Sequence, residues 1–246
     1  IVEQLEALPQ AQPADQLSVM RAFPWLRLAE FVGDLPKRQG AIAHALLKAK
    51  RLDLLDEFVA QGLDFNAPAE EWKPLVTAAA NNNLPAVTFM LDHGADLEVV
   101  DADGDTALAA AVRFRRKETV TLLLDRGASI RHVRPDGHTL LGLALIPGQT
   151  QKYRYPVDPA LVQRMLEAGV DANQPSGGDG RLPLHLALVS EQRDHALPLL
   201  EMLLAHGADI QRPGPNLAVN GQPPCNALFT ALYAFHFQHA DAAAYL

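Results

Sequence analysis

The sequence predicts an all-α solenoid, in which short helix–turn–helix units stack side by side instead of closing around one core. Three observations predict it. A leucine that follows a turn signal recurs at Leu75, Leu108, Leu141, Leu184 and Leu228, in steps of 33, 33, 43 and 44, and Ala43 holds the same place 32 residues before Leu75. A glycine that closes an apolar helical run recurs at Gly62, Gly94, Gly127, Gly169 and Gly207, in steps of 32, 33, 42 and 38. Two independent markers with a period near 33 signal a repeat architecture. The third observation is a stripe of apolar residues at helical spacing ahead of each glycine: Leu54, Leu55 and Phe58; Val87, Met90 and Leu91; Val120, Leu123 and Leu124; Leu161, Met165 and Leu166; Leu199, Leu203 and Leu204. A pair of short helices cannot bury such a stripe alone, so the next pair must stack on it.

The clearest unit is Asp101 to Ser129. Asp103-Gly104 marks a turn. Thr106 to Val112 predicts a helix of small residues that allows close approach of a neighbour. Arg113 to Lys117 forms a charged corner, Glu118 to Asp125 a second helix, and Gly127 a stop of the kind that tolerates a left-handed backbone.

Leu182-Pro183-Leu184-His185-Leu186-Ala187 is similar to the Thr-Pro-Leu-His-x-Ala signature of ankyrin repeats. Gly94-Ala95-Asp96 and Gly207-Ala208-Asp209 resemble that family's Gly-Ala-Asp, and weaker copies stand at Thr106-Ala107-Leu108, Thr139-Leu140-Leu141, Gly127-Ala128-Ser129 and Gly169-Val170-Asp171. The resemblance covers residues 39 to 246. It implies an ankyrin-repeat solenoid with short β-hairpin fingers at right angles to the helices. It also implies a concave face made by fingers and first helices.

Residues 1–38 do not fit the period. Val2 to Leu8, Gln16 to Ala22 and Trp25 to Val32 read as short helices set off by Pro9, Pro13 and Gly33. An N-terminal helical cap over the first repeat is the expectation, with a separate docking element as the alternative. The repeats then follow at about 39–66, 67–99, 100–132, 133–175 and 176–213, with a partial sixth at 214–246. In the fourth, Leu141 to Gly169 spans 28 residues against 19 in the regular copies, which places about nine extra residues between its helices, within 146–157. In the fifth, four extra residues fall near Ser190 to Leu197, and the finger after it, Gln211 to Gln222, is stretched. Loop insertions cost little closure entropy, so none of these is by itself a functional sign. The chain opens on Ile1, which allows a leader or N-terminal domain before it, and it ends inside the second helix of the sixth repeat, where either further residues or a shortened capping helix is expected.

Composition limits the function. The 246 residues are 48% apolar and carry a net charge of −8, which disfavours sequence-independent nucleic-acid binding. No run of 18 apolar residues exists to span a membrane. One cysteine, Cys225, excludes a disulfide framework. His44 and His185 occupy the signature's histidine position, where the side chain ties turn backbone together. His93 and His206 precede stop glycines, where a donor suits a helix C-terminus. His236 and His239 supply two ligands, too few for zinc. Asp101, Asp103 and Asp105 resemble the start of a calcium loop, but the glycine stands fourth instead of sixth and no glutamate closes the loop, so they read as turn chemistry. No nucleophile elbow, phosphate loop or His-Glu-x-x-His is present. The expectation is therefore no catalytic residue, no cofactor and no metal.

The function expected is non-enzymatic binding of a protein partner through the concave finger face, by a monomer, with the cytoplasm as the favoured compartment. Positions five and three before the anchor leucine point toward partners in the family, and here they hold Glu70 and Trp72, Asp103 and Asp105, Asp136 and His138, Asp179 and Arg181, with Cys225 three before Leu228. Trp72 either packs on the adjacent finger or anchors a contact. Arg113 and Phe114 belong to a basic knot, Arg113 to Lys117, which is either a solvated corner or a patch for an acidic partner segment. The alternative function is a targeting or substrate-recruiting domain of a larger enzyme or bacterial effector whose catalytic part lies elsewhere.

Overall fold

The computed structural model describes residues 47, 52–60, 63–66, 73–146, 148–149, 154–155, 157–189 and 193–213. The proposed cap, Glu70, Trp72, His44, Cys225 and the sixth repeat lie outside these. The described helices are α1 (Leu52–Ala60), α2 (Pro74–Ala80), α3 (Leu84–Asp92), α4 (Ala107–Arg113), α5 (Lys117–Asp125), α6 (Leu140–Leu145), α7 (Pro159–Glu167), α8 (Pro183–Val189) and α9 (Arg193–Ala205).

The first helices of the units, α2, α4, α6 and α8, pack in one row, each on the next, and α3 packs on α5 and α7 on α9 in a second row. The anchor leucines are the reason the first row closes: Leu75, Leu108, Leu141 and Leu184 are each at most 4% exposed. Burying such a side chain contributes ~1.5–3 kcal/mol. Ala107, Ala109, Ala110 and Ala111 on α4 are buried as well, so small residues let the neighbouring backbones approach. The stripe of the second helices is core: Val87, Met90, Val120, Leu123, Leu161, Met165, Leu199 and Leu203 are buried.

Local chemistry sets the helix ends. Thr106 and Thr139 cap α4 and α6, their hydroxyls accepting from the Ala109 and Gly142 amides. At the other end Gly94, Gly127, Gly169 and Gly207 all have φ between +80° and +88°. The following amide then reaches back five residues, as in Ala128 N to Leu123 O at 3.0 Å. His93 and His206 donate from Nδ1 to the carbonyls of Phe89 and Met202, each at 2.8 Å, as a donor at a helix C-terminus should.

Two insertions resolve differently. The extra residues of the fourth repeat form an antiparallel pair, β1 (Gly148–Gln149) and β2 (Arg154–Tyr155), between α6 and α7. The four extra residues of the fifth repeat make helix, not loop: α9 has 13 residues where α3, α5 and α7 have nine. Leu197-Pro198 matches Leu84-Pro85, the start of α3, so Arg193 to Ala196 is an added turn in front of the usual helix start. Proline has no N–H, and Pro198 therefore omits one bond to that added turn.

The fingers are tighter than hairpin strands. They are loops stitched by single bridges, Val133 to Thr139 and Ser176 to Arg181, and among the described residues the only ladder is the inserted β1–β2 pair. Turns such as Asp101 to Asp105, closed by the Asp101 amide on the Asp105 carbonyl at 3.0 Å, leave too few residues on each side for strands.

Candidate protein-binding face

The fingers of repeats three, four and five stack directly on one another. A Cβ on Gly104 would lie 2.2 Å from Pro135 of the next finger, and one on Gly137 would lie 3.1 Å from the Gly177 carbonyl of the one after. The Gly177 amide donates to the Gly137 carbonyl at 2.9 Å. His132 Nε2 donates to the Gly104 carbonyl at 2.8 Å. Glycine is required here both for the positive φ, +77° and +83°, and for the backbone contact.

On this frame Asp103, Asp136 and Asp179 stand at the tips, with side chains 60%, 47% and 51% exposed. Each carries a nearby guanidinium: Arg113 Nη2 at 3.1 Å from Asp103, Arg134 Nη2 at 3.3 Å from Asp136, Arg181 Nε at 2.6 Å from Asp179. His138 is half-buried, its Nδ1 3.4 Å from Ser176 Oγ. The row is therefore one of exposed carboxylates with locally balanced charge.

Asp105 corrects the expectation that it faces a partner: it is fully buried. Its carboxylate lies 3.0 Å from Arg113 Nε and 3.3 Å from Arg134 Nη1. Neither pair has hydrogen-bond alignment, so the attraction is Coulombic without the directional gain of a fork. Burial then outweighs the two arginines and pushes the Asp105 carboxyl above its usual value of 3.8. Asp101 reads as turn chemistry, its Oδ1 accepting from the Asp103 and Asp105 amides at 3.0 and 2.9 Å.

The basic knot is tied to its neighbours, with Lys117 as its exposed member at 53%. Arg113 is held by Asp103 and Asp105, and its guanidinium lies 4.8 Å from the Phe114 ring centre. Arg116 Nε donates to the Ala80 carbonyl at 2.8 Å, and Lys117 pairs with Asp158 at 2.8 Å. Arg115 sits at φ +59° and donates to the carbonyls of Val112 and Leu143, at 2.8 and 2.9 Å, and to that of Ile146. Burial lowers its pKa to about 10. The knot joins repeats two, three and four.

Two roles escaped the sequence reading. Arg134 bridges Asp105 and Asp136 while only 12% exposed, and an opposite charge one finger downstream was its signal. Arg115 stands seven after Leu108, and Asn82 stands seven after Leu75 with φ +55°; the shared register marks a left-handed corner.

Among the described residues no helix is long and apolar enough to cross a membrane. No curated protein matches the chain. The family description "Ankyrin repeats (3 copies)" matches residues 42–134, and "Ankyrin repeat" matches residues 179–214, together just over half of the chain. Such repeats are generally non-catalytic and bind protein partners. With the two helix rows, the capping threonines and the stacked fingers, these matches make the chain a member of the ankyrin-repeat family.

Proposed function

We propose that the chain is a non-enzymatic module that grips one specific protein through its row of finger tips. The observation that supports this reading is the rigid stack of three fingers, which holds Asp103, Asp136 and Asp179 exposed in series beside His138, Arg181 and Arg113-Phe114. A partner that fits this row offers basic groups against the aspartates and an acceptor for Arg181. Since each aspartate is already balanced by an arginine, the charges set partner choice and association rate more than raw affinity. Glu70 and Trp72, outside the described residues, hold the same register in the sequence.

Affinity capture from native lysate with mass spectrometry identifies the partner, and titration calorimetry measures it. Asp136→Lys and Arg181→Ala are each expected to weaken binding about tenfold or more, and Trp72→Ala by ~2 kcal/mol. A captured partner that binds all three variants with undiminished affinity would discard this face.

A further inference from the structure

We propose that the seam between the second helices of repeats three and four is a second docking site, which takes a carboxylate-bearing segment of a protein partner. The inference starts from a latch that recurs at the fourth position after each stop glycine. Asn66 donates to the Gly94 carbonyl at 2.9 Å and accepts from the Asp96 amide at 2.7 Å. Asn173 does the same for Gly207 and Asp209, at 2.8 and 2.7 Å. Glu98 serves the intervening junction, its Oε1 accepting from the Ser129 amide at 2.8 Å. Each latch thus satisfies the amide two residues after the next stop glycine.

At the junction of repeats three and four the latch position is Arg131. A guanidinium cannot accept a hydrogen bond. The amide of Asp171, the counterpart of Asp96, Ser129 and Asp209, receives no latch there. The seam is also looser: α5 and α7 are less closely apposed than α3 and α5 or α7 and α9, although the first helices α4 and α6 stay packed. A cleft of ≈ 520 Å³, open to solvent, lies at this place. It is lined by Leu124, Ala128, Ser129, Ile130 and Ala168, together with Arg131 and Arg164.

The chemistry of the two arginines chooses the occupant. Arg131 is exposed, and Arg164 is 36% exposed with one Nη on Asp125 at 3.0 Å, which leaves further N–H groups of its fork for another acceptor. Glu98 in the preceding junction shows that a carboxylate fits the latch geometry of this fold. A glutamate from a partner, followed by an apolar residue against Leu124 and Ile130, brings a carboxylate to Arg131 and Arg164 at the one described junction whose latch position carries no acceptor. This surface is made by the C-terminal ends of α5 and α7 and is separate from the finger tips.

The test uses a fluorescein-labelled hexapeptide of alternating Glu and Leu, followed by fluorescence polarisation on the full chain. Saturable binding is expected, weakened at least ~10-fold when Gln replaces Glu in the peptide and at least ~10-fold by Arg131→Asn. That variant installs the latch residue found at Asn66 and Asn173, so its Tm is expected to rise while the peptide is lost. Arg131→Ala removes the cation but leaves the cleft open, and should weaken binding without raising Tm. Asp136→Lys should leave peptide binding unchanged. Absence of saturable binding, equal binding of the Gln peptide, undiminished binding by both Arg131 variants, or loss of binding in Asp136→Lys would each overturn the assignment.

Discussion

Arg115 is the sharpest place to test how the repeats are joined. It adopts a left-handed backbone, which costs an L-residue ~1–2 kcal/mol, and it buries a cation. What offsets both costs is its reach into the next repeat, to the carbonyls of Leu143 and Ile146 at the end of α6. A hydrogen bond from a charged donor contributes ~1.5–3 kcal/mol, so two give at least ~3. Ordering the side chain costs up to ~2 kcal/mol, while the desolvation of the charge is already contained in those net values. Arg115→Ala keeps the backbone strain and loses the bonds, for a net loss of ~2 kcal/mol. Arg115→Gly loses the same bonds but relieves the strain, so its loss is ~1 kcal/mol. The assay is urea denaturation followed by far-UV circular dichroism, with amide exchange across 140–146, because a repeat array need not unfold in one step. The ~2 kcal/mol change corresponds to a Tm lower by roughly 4–8 °C. If Arg115→Ala matches the wild type, or Arg115→Gly is no more stable than Arg115→Ala, the reasoning fails.

Gly142→Ala would place its Cβ 1.7 Å from Ser176 Oγ, displacing the hydroxyl that accepts from the Thr139 amide, and is expected to cost ~1–3 kcal/mol by thermal denaturation; Ser176→Gly in the same chain should recover only the part due to the clash, because the Thr139 amide stays without its acceptor. Asn173→Ala removes both latch bonds to the Gly207 loop, an expected loss of ~1–2 kcal/mol in urea, with faster exchange of the Asp209 amide. Asp105 titrates with the opposite sign to a paired surface carboxylate. Its native pKa is raised, so the native state binds the proton more tightly; its contribution is complete below 3.8 and is lost as pH rises through the native value. Asp105→Asn should flatten that part of the stability profile, and a profile identical to the wild type would refute the burial argument.

The period, the stop glycines and the anchor leucines were legible because each is a local requirement repeated in register. A left-handed C-terminus needs glycine, and a closed first-helix row needs an apolar residue at one phase. Asp105 was not legible as a buried group, since a carboxylate three before the anchor looks like its exposed neighbours. What encloses it is Arg134, 29 residues later on another finger. Within the basic knot the ties of Arg115 and Arg116 were hidden for a related reason: their acceptors are carbonyls of adjacent repeats, and main-chain oxygens leave no mark in a sequence. The extra residues of the fifth repeat read as loop because length alone does not distinguish a longer connection from a longer α9. Of the finger-tip row, the positions were legible by register, while the balancing of each aspartate by an arginine appeared only in three dimensions.

The close approach of Gly104 to Pro135 and of Gly137 to Gly177 packs the three tips directly against one another. On the proposed reading, a partner that seats on one tip meets the others already packed in place and loses little freedom in ordering them. Changes in recognition can then come from exchanging side chains on a fixed comb, with the spacing of the teeth left alone.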